Sequence, residues 1–147
     1  MIADTIQKQI AEAMKAGEAV RVSTLKMLSA ALTNAEIAKR PEALSQADEL
    51  KVVQAEAKKR KDAIEVYKKL GQEERVKSEE SELKILQEFL PEEMSDEEIN
   101  QLVSDTVSQM GAVGIADMGK VIGAVMQKVG GRADGNRVST IIRQKLS

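Results

Sequence analysis

Six cations stand in the last 37 residues, Lys120, Lys128, Arg132, Arg137, Arg143 and Lys145, against only Asp117 and Asp134. Long basic side chains in such excess can neutralise phosphates along a polyanion without reading its sequence. The balance over residues 111–147 is +4, whereas residues 1–110 hold 16 Lys and Arg against 22 Asp and Glu, a balance of −6. This split predicts an anionic partner for the C-terminal segment, with those six side chains at its phosphates. Ordinary surface charge is the competing reading, and on charge alone it is the one favoured.

Two glycine patterns accompany the cations. The run from Gly130 to Gly135 is a turn feeding a helix start, where free N–H groups and the helix dipole are receptive to phosphate. Arg132 beside its glycines and Arg137 just inside the helix would add charge-assisted bonds. Its spacing is neither a nucleotide-hydrolysing loop nor a dinucleotide fingerprint, and a tight turn using left-handed glycines explains it equally well. Gly119 and Gly123 share one helical face at a cost of roughly 1 kcal/mol each relative to Ala. Close approach of a neighbouring helix is the favoured explanation; close approach of a nucleic-acid backbone is the other.

Other chemistry is thin. The chain has no cysteine and no histidine, which excludes disulfides, thiolate zinc sites and cysteine nucleophiles and removes the usual general base. Lys58, Lys59, Arg60 and Lys61 form a basic run, but Glu56, Asp62 and Glu65 are interleaved, so a solvated face laced with ion pairs is expected. Glu79, Glu80, Glu82, Glu92, Glu93, Glu97 and Glu98 supply carboxylates without an evident shielded pair, and no hydroxyl has an obvious activating base. No catalytic residue, metal or cofactor is expected.

These residues must be positioned by helices. Hydrophobic residues make up 42% and charged residues 31%, a globular balance, and a single Phe, a single Tyr and no Trp leave the core to aliphatic side chains. Periodicity predicts helices over about 2–15, 19–38, 45–70 and 73–89, the first with Ile2, Ile6, Ile10 and Met14 on one stripe. The second buries Leu25, Leu28 and Leu32, and the third turns Leu50, Val53, Ala57, Ile64 and Tyr67 inward. Pro91 closes a bundle of about four helices, and residues 91–95 read as a hinge or short linker. Ser95 with Glu98, like Ser45 with Asp48, has capping-box spacing. Three short helices follow, carrying Ile99 to Met110, then Met118 to Met126 behind an Asp117 cap, then Val138 to Leu146. The expected fold is all-α, with a bundle over 1–91 and a three-helix subdomain over 95–147. Neither a signal sequence nor a membrane span is evident, so the expected location is cytoplasmic.

Three segments in order resemble one family: Phe89 to Ser95 (FLPEEMS), Ala116 to Gly123 (ADMGKVIG) and Gly131 to Gly135 (GRADG). With Glu56 to Ile64 (EAKKRKDAI), they are similar to the YqeY-like (GatB/YqeY) family over essentially the whole chain. The resemblance implies that the C-terminal part is like the tail of the B subunit of glutamine-dependent tRNA amidotransferase, which is thought to help hold tRNA. Met118, Gly119, Lys120, Gly123, Gly131, Arg132, Ala133, Asp134 and Gly135 match that tail pattern and define the subdomain. Nothing in the chain resembles the catalytic cradle or an amidase. The resemblance thus implies a non-catalytic tRNA- or RNA-interaction module. The family's carbon–nitrogen ligase label, with glutamine as amido-N-donor, would then be inherited by homology and not by chemistry. The alternatives are an accessory subunit active beside a catalytic amidotransferase or other translation-related partner, and a protein–protein adaptor.

Overall fold

A computed structural model describes residues 1–147. Seven α-helices and one short 3-10 turn carry the chain, with no strand. The helices are α1 (Ile2–Ala16), α2 (Ala19–Lys39), α3 (Gln46–Lys69), α4 (Glu73–Gln87), α5 (Asp96–Met110), α6 (Met118–Val129) and α7 (Gly135–Leu146); the 3-10 turn is Ile115–Asp117. Both anticipated capping boxes form: Ser45 with Asp48 opens α3, and Ser95 with Glu98 opens α5. Gly17, Gly111 and Gly130 end their helices in the left-handed conformation, which glycine adopts without a Cβ penalty.

The chain divides into two compact units, Met1–Leu90 and Pro91–Ser147. In the first, α1 pairs with α2 and α3 with α4. Ile6, Ile10, Leu25, Leu28, Leu32, Val53, Ala57 and Leu86 form its core. In the second, α5, α6 and α7 contribute Ile99, Val103, Val121, Val125, Val138 and Ile142, all wholly buried. Each such side chain removed from water contributes about 1.5–3 kcal/mol, so aliphatic packing alone suffices to define a small unit without aromatics.

The structure adds one contact that no sequence pattern marks and corrects other expectations. Glu49 of α3 is fully buried, and its carboxylate accepts the free N–H groups of Ile2 at 2.8 Å and Ala3 at 2.9 Å. One helix thereby caps another, and the charge sits at the positive end of the α1 dipole. Asp117 does not cap α6: its carboxylate turns back to accept the Val113 N–H at 3.1 Å. Arg60 leaves the basic face of α3 and turns inward, its Nε 2.9 Å from Glu82 and 3.7 Å from Glu79 on α4. Glu79 and Glu82 are therefore not simply exposed, and burial followed by the charge of Glu82 pushes the Glu79 carboxyl up, against the pull of Arg60.

Candidate nucleic-acid interface

The glycine run between α6 and α7 is built by backbone need. Gly130 and Gly131 adopt φ of 57° and 86°, where side chains with a Cβ are strained. Asp134 then starts α7 in extended conformation and accepts the Asn136 N–H at 2.7 Å. The helix start is thus already occupied by the chain's own carboxylate, and a phosphate there would have to displace it.

The six cations separate into two sets. Arg132 donates from Nε to the Glu92 carbonyl at 3.0 Å and lies 3.7 Å from the Glu98 carboxylate. Its own carbonyl accepts the Met94 N–H at 2.7 Å. Arg137 donates to the Met94 carbonyl at 3.1 Å and to Asp96 Oδ1 at 2.7 Å. Together these bonds fasten residues 92–96 to the α6–α7 turn, so that stretch is a pinned segment and not a loose linker. Lys128 donates from Nζ to Gln109 Oε1 at 3.1 Å and Thr106 Oγ1 at 3.3 Å, joining α6 to α5.

Lys120, Arg143 and Lys145 are exposed and their side chains have no partner. They are not gathered on one face. Arg143 and Lys145 are two residues apart on α7, so they project about 160° apart around it. The charge split also changes meaning once the unit boundary is known. Pro91–Ser147 holds the six cations against Glu92, Glu93, Asp96, Glu97, Glu98, Asp105, Asp117 and Asp134, a net charge of −2. A cut at residue 110 separates Arg132 and Arg137 from the acidic start of α5 with which they pair.

Of the remaining motif positions, Met118 packs against the core of the C-terminal unit. Gly135 lies close to α6, where an added Cβ would stand 4.0 Å from Met126 Cε. Gly119 and Gly123 are exposed, and an added Cβ at either would meet nothing within 4 Å. The expected close approach of a neighbouring helix is absent, so packing within the chain does not account for them.

The model of the family described as Yqey-like protein matches residues 3–146. The chain belongs to that family. It is also 32% identical over 88 residues to a glutamyl-tRNA(Gln) amidotransferase subunit of Thermococcus gammatolerans, an alignment covering 57% of this chain and 14% of that much longer protein. The family is thereby distantly related to part of an amidotransferase, as the tail resemblance implied. An uncharacterized protein of Schizosaccharomyces pombe is 33% identical over 91 residues, covering 62% of this chain and 73% of that protein. No helix is long and apolar enough to cross a membrane.

Proposed function

We propose that the C-terminal unit is a non-catalytic RNA-contacting module, with tRNA as its partner in a cytoplasmic, translation-related setting. The observation that carries this reading is the similarity to an amidotransferase component named for glutamyl-tRNA(Gln). Lys120, Arg143 and Lys145 are the side chains free to meet phosphates, while Arg132, Arg137 and Lys128 hold the unit together. At most about three phosphates are then neutralised instead of six, since Arg143 and Lys145 point to different sides of α7.

This makes the electrostatic part modest and measurable. A plot of log affinity for bulk tRNA against log salt should have a slope of about −2 to −3 for three contacts. Lys120→Ala/Arg143→Ala/Lys145→Ala should weaken binding and flatten that slope. No binding of tRNA at low salt ends the proposal.

The same similarity favours a second reading, an accessory role in amide transfer beside a catalytic partner. Adding the protein should then change a transamidation rate. An adaptor role finds support in a groove of ≈ 610 Å³ beside the exposed Met14 and Met27; protein capture that survives RNase treatment would favour it.

A further inference from the structure

The groove between α5 and α7 differs chemically from the rest of the C-terminal unit. Asp96 and Asn100 stand four residues apart on α5, and Asn136, Thr140 and Gln144 stand four apart on α7, with Arg137 and Ile141 in the adjoining row. That spacing places each row along one helix face. The space between them is ≈ 460 Å³, within the roughly 300–1,000 Å³ typical of small-ligand sites. The chain has three asparagines, Asn34, Asn100 and Asn136, and two of them line this groove.

The carboxamides of Asn100, Asn136 and Gln144 have no hydrogen-bond partner within the chain. Each offers an acceptor oxygen and a two-donor nitrogen on one planar edge. Thr140 donates its hydroxyl proton to the Asn136 carbonyl at 2.9 Å, leaving its oxygen lone pairs as acceptors. Ile141 is half-buried and supplies an apolar surface. Arg137 is held by Met94 and Asp96, so its planar guanidinium is preorganised to stack and its charge is already matched.

A phosphate is a poor occupant, because Asp96 already neutralises the lining's one cation. A neutral, flat ligand edged with donors and acceptors fits better. Carboxamides pair two-fold with base edges, and unstacked bases lie against apolar side chains or arginine planes. We propose that the α5–α7 groove receives an unpaired nucleobase of a bound RNA, its edge met by Asn100, Asn136 and Gln144 and its face by Ile141 and Arg137. This rests on the RNA-contacting reading above and adds to it a base-dependent component distinct from phosphate contact.

The test compares a fluorescent RNA hairpin bearing a single-stranded loop with the same hairpin carrying abasic loop positions, both titrated with the full chain. The abasic loop should bind about tenfold more weakly, the scale of one two-fold base contact. Asn100→Ala/Gln144→Ala should lower the affinity of the intact loop to that of the abasic one while leaving the salt slope unchanged. In the wild-type protein, intact RNA should shift the side-chain amide NMR signals of Asn100, Asn136 and Gln144, a readout free of any folding defect in the variant. Equal affinity for both hairpins, or base dependence that survives the double variant, overturns the groove assignment and leaves phosphate-mediated RNA binding standing. Failure of both hairpins to bind at low salt removes the RNA reading, and the groove assignment with it. Amide shifts produced by a captured protein and not by RNA would also overturn it.

Discussion

Glu49 shows how much one side chain can do when it lies between two helices. Its carboxylate meets two N–H groups that α1 cannot satisfy internally, in a place sealed from water. Glu49→Ala leaves those donors without a partner, and a loss of about 3 kcal/mol is expected in chemical denaturation. Glu79 is a different case, because its carboxyl titrates above the ordinary value of 4.5. The native chain therefore holds this proton more tightly than the unfolded chain does. That contribution is fully present below the unfolded pKa and is lost as pH rises through the folded one. Glu79→Gln should raise the melting temperature at pH 7, with the gain shrinking toward pH 4; a constant gain across that range would mean the titration is not its source. Neither role was legible in the sequence. A buried glutamate and an exposed one have the same local signature on a charged helix, and only the identity of the facing helix distinguishes them.

Helices were the legible level, because the residues that start and stop them act locally. Ser45, Ser95, Gly17, Gly111 and Pro91 all mark boundaries through chemistry within a few residues. Asp117 failed as a cap because the preceding 3-10 turn brings Val113 within its reach, and no single-helix pattern announces that. Gly123 tests the element scale most directly. It lies inside α6, its backbone is not left-handed, and open space surrounds the position. Gly123→Ala should therefore stabilise the protein by about 0.5–1 kcal/mol, read from the denaturation midpoint. A destabilised variant would show that something packs there after all. Weaker tRNA binding by the stabilised variant would tie the open face to the partner.

For the whole molecule, composition predicted an all-helical chain correctly, since aliphatic stripes of the right period leave few other ways to bury a core. Charge is legible only once the unit boundary is known: the balance is +4 over residues 111–147 and −2 over 91–147, and Arg132 and Arg137 meet acids that precede them by more than thirty residues. Pairings at that range cannot be seen in local spacing. The two units have separate cores, so fragments 1–90 and 91–147 should each give a helical circular dichroism spectrum and a cooperative melt. The shorter fragment should melt first, because few residues bury a smaller share of their surface. A fragment lacking a cooperative transition would show that its fold depends on the rest of the chain.

The seam that fastens residues 92–96 has unequal tolerance to change on its two sides. At Glu92 the bond is made through the main-chain oxygen, which every amino acid supplies, so drift there leaves it untouched. At Arg132 it depends on a forked, planar guanidinium group, whose Nε meets the Glu92 carbonyl while its Nη2 faces the Glu98 carboxylate. A lysine keeps the charge but brings a single point of contact, so an exchange that looks conservative would open the seam where a drastic one across from it would not.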